Sequence, residues 1–238
     1  MWVRTEPITY LHDRRADPHA HGWHQLTFAR SGHLEVETDR TRALVPPDRA
    51  VWIPAGTRHR EAMWAPVRVR TLYVAPGAAP DAARTRTLSV SPLLRELIDH
   101  ACLKGALRRD DRAQSSLIDV LLDLLGEAPD ATLQLPLPAD PRARRLAERL
   151  RRDPGDRATL AALARGAGAS VRTLERLWRS ETGLRLGQWR RRLRLLEALR
   201  RLDAGGSVSE VAAAVGYATP SAFTAAFTRF FGVPPTRR

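Results

Sequence analysis

The chain has 238 residues, 43% of them hydrophobic, which allows one large or two ordinary domains with true cores and excludes wholesale disorder. Its single cysteine, Cys102, excludes an internal disulfide framework or a cysteine-rich zinc module, and no apolar run approaches the ~18 residues that span a bilayer. The formal net charge of +13 is lopsided: 21 arginines face nine acidic residues over 140–238, while 18 basic and 17 acidic residues share 1–139. This asymmetry suggests a polyanion-binding module joined to a neutral one.

Residues 25–75 read as short strands. Leu26 and Phe28 alternate with Gln25, Thr27 and Ala29. After the Ser31-Gly32 turn, Leu34, Val36 and Thr38 alternate with Glu35, Glu37 and Asp39. Pro46-Pro47-Asp48 breaks the chain before Ala50–Ile53, and Val67, Val69 and Thr71 resume the alternation. Closely spaced strands with turn chemistry between them predict a small β-barrel over 1–80. Beyond Pro76–Pro80, over 81–128, the pattern turns helical. Ser91 caps and Pro92 opens a helix carrying Leu94, Leu97, Ile98 and Ala101, and a second runs through Leu117, Ile118, Leu121, Leu122, Leu124 and Leu125 to Gly126. These leucines either form a dimer seam or pack on the barrel. A proline-rich linker, 129–140, includes Leu135-Pro136-Leu137-Pro138.

From 141 to 238 everything reads as helix: Pro141–Arg152, Thr159–Arg165, a helix from Ser170 to about Glu181, Leu186–Asp203, a short helix behind the Ser207–Glu210 capping box, and one from Thr219-Pro220 to Phe231. The predicted class is therefore α+β: a barrel with two following helices, then an all-α domain. A unit recurs in that domain: short helix, glycine-containing turn, Ser or Thr cap, longer helix. This is the plan of a helix-turn-helix, and two of them held apart by the Leu186–Asp203 rod could enter successive major grooves about 34 Å apart. Helical spacing turns Leu174, Leu177 and Trp178, and Phe223, Phe227 and Phe230, to the core. It leaves Arg172, Thr173, Glu175, Arg176 and Arg179 outward on the first recognition helix, and Ser221, Ala222, Thr224, Ala225 and Thr228 outward on the second. Arg172 and Arg176 suit bidentate clamping of guanine, worth about 1–3 kcal/mol of discrimination. Thr219 and the outward Ser, Thr and Ala residues suit phosphates and thymine methyls, and Arg190 on the rod suits phosphates. An ordinary solvated helix face would look the same residue by residue.

Leu160–Ala164, Gly168–Trp178 and Glu181–Gly183, then Gly205–Val208, Val211–Tyr217, Ser221–Phe223 and Phe227–Pro234, resemble the AraC/XylS DNA-binding domain in order and spacing. The resemblance covers roughly 140–238 and implies a regulator that binds double-stranded promoter DNA through both helices. Two departures stand out: Ala225 where many members carry a long polar base reader, and Arg237-Arg238 in place of a closing Tyr-Arg.

Five of the seven histidines lie in one stretch of the β-rich half: His19, His21, His24, His33 and His59. His19-Ala-His21-Gly-Trp-His24-Gln25 and Pro54-Ala-Gly56-Thr-Arg-His59 resemble the two cupin motifs. That resemblance implies one divalent transition metal held by His19, His21, Gln25 and His59, with Gln25 standing where cupins have glutamate. Imidazole suits Zn, Ni, Fe and Cu alike. His24 is an alternative ligand, and a metal-free effector pocket lined by Trp23, Trp52 and Trp64, or a purely structural barrel, are alternative readings. The neutral Gln25 is a poor acid–base group, and no nucleophilic or paired-carboxylate constellation appears. The leading expectation is a non-enzymatic, cytoplasmic, homodimeric transcription regulator that senses a metal or small molecule and binds no membrane. The alternatives are a metal-dependent cupin enzyme with an appended nucleic-acid-binding domain, and a non-specific architectural DNA binder.

Overall fold

The structure, a computed structural model, describes residues 1–79, 84–131 and 133–235. Of the residues singled out above, Pro80, Arg237 and Arg238 lie outside these. The chain divides into two compact units, Met1–Gln134 and Leu135–Arg238.

In the first unit the strands are β1 (Val3–Tyr10), β2 (Arg14–Arg15), β3 (His24–Thr38), β4 (Thr41–Val45), β5 (Arg49–Ile53), β6 (His59–Val74), β7 (Arg86–Ser89) and β8 (Ala106–Leu107), with β9 (Gln134–Pro136) at the junction of the units. The long strands β3 and β6 pair antiparallel from His24↔Val74 to Thr38↔His59 and form the spine of the sheet. β5 lies beside the first half of β3 and β4 beside its second half. β1 and β2 lie on the far side of β6. The main path β7-β5-β3-β6-β1-β8 has two ends, so among the described residues the sheet is open, not the closed barrel expected from strand spacing. Its end strands are four and two residues long, too short to meet along their length and close a ring.

Between Ala29 and His33 the β3–β6 register shifts. Gly32 sits there at φ +73°, and a Cβ on it would lie 2.3 Å from the Pro66 carbonyl oxygen. Gly32→Ala is therefore expected to destabilise the first unit by more than the ~1–2 kcal/mol of the left-handed backbone alone, because the contact is with main chain and cannot yield. Urea unfolding checks this, and an unchanged midpoint refutes it.

Period-two alternation gives the sheet two apolar faces. Leu26, Phe28, Trp52, Leu72, Val74 and Leu88 pack under two helices, α1 (Pro92–Lys104) and α2 (Arg112–Glu127), through Leu94, Ile98, Leu121 and Leu125. Each fully buried large side chain there contributes about 1.5–3 kcal/mol. Ser91 caps α1 by accepting from the Leu94 amide, as its sequence suggests. Asp99 on α1 takes both Arg30 and Arg70, each Nε 2.8 Å from a carboxylate oxygen, and so fixes the helix to the sheet. The opposite face carries Leu34, Val36, Val51, Ile53, Met63 and Val69.

The second unit is helical: α3 (Pro141–Arg152), α4 (Leu160–Gly166), α5 (Val171–Thr182), α6 (Leu186–Asp203), α7 (Val208–Ala214) and α8 (Pro220–Phe231). Thr159, Ser170, Ser207 and Thr219 each accept from the amide three residues on. Gly183 and Gly232 close α5 and α8 in the left-handed conformation. Trp178, Trp189, Phe223 and Phe227 are fully buried, the two tryptophans meeting edge to face at 5.6 Å, and α5 and α8 both pack on α6. Phe230, expected in the core, is only half-buried and takes Arg192 over its ring, 5.9 Å from the centroid.

Candidate functional sites: a histidine cluster and a helical basic face

Three backbone bonds bring distant histidines together. His19 and His59 exchange amide-to-carbonyl bonds of 2.8 and 2.9 Å, and the Gly56 amide donates to the His21 carbonyl at 2.8 Å. The 19–21 segment is thereby laid along 56–59, with His19 and His21, two residues apart, on one side. The ring centroids are 4.4 Å apart for His19–His59, 5.2 Å for His21–His59 and 6.0 Å for His19–His21. One nitrogen from each ring lies within 4.8 Å of the others.

The tautomers follow from the partners. Nδ1 of His19, His21 and His59 lies 2.9 Å from the carbonyl oxygens of Asp17, Trp23 and Thr57 respectively. A carbonyl oxygen only accepts, so each Nδ1 carries a proton and each Nε2 of a neutral ring presents a lone pair. This arrangement, with the ring N–H held from behind, is how metal-ligating histidines are oriented. His59 Nε2 is buried without a hydrogen-bond partner. Burial, with repulsion from His19 and His21, pulls the His59 pKa down to about 4 against the Thr57 bond, so the ring is neutral near pH 7.

Gln25 lies below the cluster, its Oε1 2.7 Å from His21 Nε2. Its Nε2 donates to Thr27 Oγ1 at 2.7 Å and to Glu61 Oε1 at 2.9 Å, and the Thr27 hydroxyl also donates to Glu61 Oε1 at 2.9 Å. Burial raises the Glu61 pKa above the usual carboxylate range, and the Thr27 hydroxyl and the histidines oppose that rise. Tyr73 stands edge-on to His21 at 5.3 Å and donates its hydroxyl to Glu6. Burial pushes its pKa up to about 12. Sequence reasoning missed Glu61 and Tyr73. The alternation from His59 points to Glu61, two residues on, while Tyr73 follows only from its register with Gln25.

The other histidines and the tryptophans lie apart. His24 accepts from the Ala55 amide at 3.1 Å and stacks on Trp52 at 5.3 Å. Trp52 pairs with Leu26, so it shares the helix-covered face and lines a groove of about 680 Å³ beside α2 with Arg86, Arg109 and Leu122. His33 and Trp64 are register partners on the parity opposite to Leu34, Met63 and Glu61. Trp23 is half-buried and lends the cluster its carbonyl.

In the helical unit Arg172, Arg176 and Arg179 are exposed along α5, with Thr173 and Glu175 half-buried. On α8, Ser221, Ala222 and Ala225 are exposed and Thr224 and Thr228 half-buried, while the Thr219 hydroxyl caps the helix. Arg190 is not free: its guanidinium donates to the Asp156 and Ala158 carbonyls at 2.6 and 3.2 Å. Arg194 donates to Pro154 and Asp156 at 2.9 and 2.8 Å and reaches the Gly216 carbonyl at 3.4 Å. With Arg157, Arg191 and Tyr217 they line a cavity of about 420 Å³. No described helix is long and apolar enough to cross a membrane.

Residues 8–137 match an AraC-like ligand binding domain and residues 163–237 a helix-turn-helix domain. The chain is 34% identical over 219 residues to the HTH-type transcriptional regulator NimR of Escherichia coli, covering 92% of this chain and 80% of that one. It is 39% identical over 101 residues to the HTH-type transcriptional regulator RipA of Corynebacterium glutamicum, 42% of this chain and 30% of that one. Among solved structures it is similar to the DNA-binding domain of AdpA, a global transcriptional factor in complex with a target DNA: 33% identity, a TM-score of 0.39, and coverage of 41% of this chain and 88% of that one. The family models and the NimR match are to transcription regulators, not to enzymes, and on these the chain belongs to the AraC family of helix-turn-helix transcriptional regulators.

Proposed function

We propose that this regulator reads promoter DNA with α5 and α8, and that its cupin-like N-terminal unit senses a divalent transition metal held by His19, His21, His59 and the Gln25 oxygen. The observation that carries the metal is that each Nδ1 is held 2.9 Å from a backbone carbonyl while one nitrogen of each ring lies within 4.8 Å of the others. Imidazole nitrogens held this way are oriented to share one cation. When bound, the metal supplies a Lewis-acidic position that a small effector can also complete. Coupling to DNA requires that the metal bind the two states of the regulator unequally.

On the DNA side, Arg176 stands exposed in the middle of α5 and is assigned to a base edge, with Arg172 before it and Arg179 toward the backbone. Arg190, spent on carbonyls, serves the interface by holding the 156–158 loop, and the exposed Arg191 takes the phosphate role instead. Leu93 and Leu103, 58% and 85% exposed on α1, together with Val120 on α2, supply the apolar surface for a homodimer. Acting on promoter DNA places the protein in the cytoplasm.

Selection of bound sites from random DNA, with and without Zn²⁺, Ni²⁺ and Cu²⁺, tests the whole reading. A consensus whose affinity changes with one metal supports it, and metal-blind binding refutes the sensing role. In the selected site, Arg176→Ala is expected to cost about 1–3 kcal/mol and to relax preference at one base pair. A uniform loss across sequences would make Arg176 a phosphate contact.

A further inference from the structure

Cupins carry glutamate where this chain has Gln25, and a carboxylate stands instead on the neighbouring strand, behind the amide. This inference rests on the metal reading above. Glu61 is 9% exposed and Gln25 1%, so neither exchanges partners with bulk water. Gln25 sits on β3 in register with Tyr73, and Glu61 on β6 in register with Val36. These register positions lie far apart along the ladder, yet the two side chains are hydrogen-bonded. The direction of the amide is then set by chemistry. Glu61 Oε1 takes two donors, Gln25 Nε2 at 2.9 Å and Thr27 Oγ1 at 2.9 Å. The Thr27 oxygen takes the same Gln25 NH₂ at 2.7 Å. Both amide protons are thus committed downward, and Oε1 must point up at His21 Nε2, 2.7 Å away. Yet His21 Nδ1 already carries that ring's proton, bonded to Trp23 O. With Nδ1 protonated, Oε1 and Nε2 face each other lone pair to lone pair, a contact relieved by a proton on Nε2 or by a metal cation beside both atoms.

We propose that Glu61 is a positioning residue for the metal centre: it turns the Gln25 carbonyl oxygen into the imidazole cluster, making an N₃O donor set from three imidazoles and an amide with a carboxyl group one hydrogen bond behind. The usual ligand carboxylate is thereby divided between two strands, the donor oxygen on Gln25 and the carboxyl group on Glu61. Such a neutral donor set leaves the ion's full charge facing any further ligand, which favours an anionic effector at the open position.

The test uses the full-length protein stripped with a chelator and titrated with Co²⁺ alone, reading affinity by chelator competition and donor set by the Co²⁺ absorption spectrum. Glu61→Leu, which removes the acceptor, is expected to lower affinity by about 10–100-fold and to alter the spectrum. Glu61→Gln keeps the volume and offers a competing NH₂ to the Gln25 oxygen, so it lowers affinity in the same direction and serves if the leucine variant does not fold. Gln25→Ala is expected to match Glu61→Leu. In the Gln25→Ala background, Glu61→Gln is expected to add nothing, because it acts through the amide. Wild-type affinity and spectrum in a folded Glu61 variant overturn the inference, as does a further loss in the Gln25→Ala background, which would mean that Glu61 acts by charge alone. His59→Ala separates the levels: if it loses Co²⁺ while the Glu61 variants keep it, only this inference fails, and if it keeps Co²⁺ the metal reading itself fails.

Discussion

Exchange of Arg194 for methionine is expected to lower the melting temperature of the helical unit by roughly 10–20 °C and to weaken binding to every DNA sequence alike. Arg194 lies on α6, and its guanidinium joins two loops from different helix-turn-helix units. It donates to Pro154 and Asp156 between α3 and α4, and it reaches Gly216 between α7 and α8. Those loops touch backbone to backbone. A Cβ on Gly155 would meet the Ala214 carbonyl at 2.7 Å, and one on Gly216 would meet the Gly155 carbonyl at 2.9 Å. Methionine keeps the apolar stem and removes all the Arg194 donors, so the Pro154 and Gly216 carbonyls lose theirs while Asp156 keeps only Arg190. Charge-assisted bonds contribute about 1.5–3 kcal/mol each, and for a half-buried group about 2–4 kcal/mol in total is a fair sum. In a unit of about 100 residues each kcal/mol moves the midpoint by about 4–8 °C. Because the junction sets how α5 and α8 sit on the rod, loss of DNA affinity is expected without loss of base preference. Arg191→Met, at an exposed neighbour, is the control, expected within about 0.5 kcal/mol of wild type in stability. Thermal unfolding followed by circular dichroism decides the first point and titration against selected and scrambled duplexes the second. An unchanged midpoint would remove Arg194 from the junction.

The helical unit was largely legible in the sequence because its signals are local. Ser170, Ser207 and Thr219 cap through atoms three residues away, and Gly183 and Gly232 end helices at their own φ. Arg190 shows where locality ends: spacing places it on α6, but only the fold brings the Asp156 and Ala158 carbonyls to its guanidinium. In the sheet, alternation fixes which residues share a face within one strand and says nothing about which faces meet between strands. Trp52 and Gln25 both read as interior, yet the pairing Leu26↔Trp52 puts the indole on the helix-covered face and leaves Gln25 with Ile53 and Tyr73. Glu61 was hidden by its surroundings. Flanked by Arg60 and close to Arg58, it reads as one charge of a solvated strand, whereas Arg60 pairs with Glu37 and Glu61 turns inward to Gln25 and Thr27. The open sheet likewise depends on which edges find partners, a long-range property that strand spacing does not carry.

Protein purified without a polyhistidine tag is expected to carry about one divalent metal per chain, and the His59→Ala variant essentially none. His59 is the central member of the cluster: its ring is the near neighbour of both others, at 4.4 and 5.2 Å, while His19 and His21 are 6.0 Å apart. It is also the most buried of the three, and its Nε2 has no other partner to satisfy it. Removing it leaves two more exposed imidazoles and an amide oxygen, a set that holds a divalent ion poorly in water. The substitution also deletes a buried polar ring that lacks a hydrogen bond at one nitrogen, so it is expected to leave folding intact. His24→Ala is the matched control, since His24 is engaged with the Ala55 amide and Trp52 and is expected to keep full metal content when mutated. Elemental analysis of the three proteins after reloading and desalting gives the stoichiometries. A His59→Ala protein with wild-type metal content would dissolve the centre. A metal-free His59→Ala protein that still shifts its DNA affinity when the metal is added would detach the centre from sensing, because a ligand moves an equilibrium only through its unequal affinity for the two states.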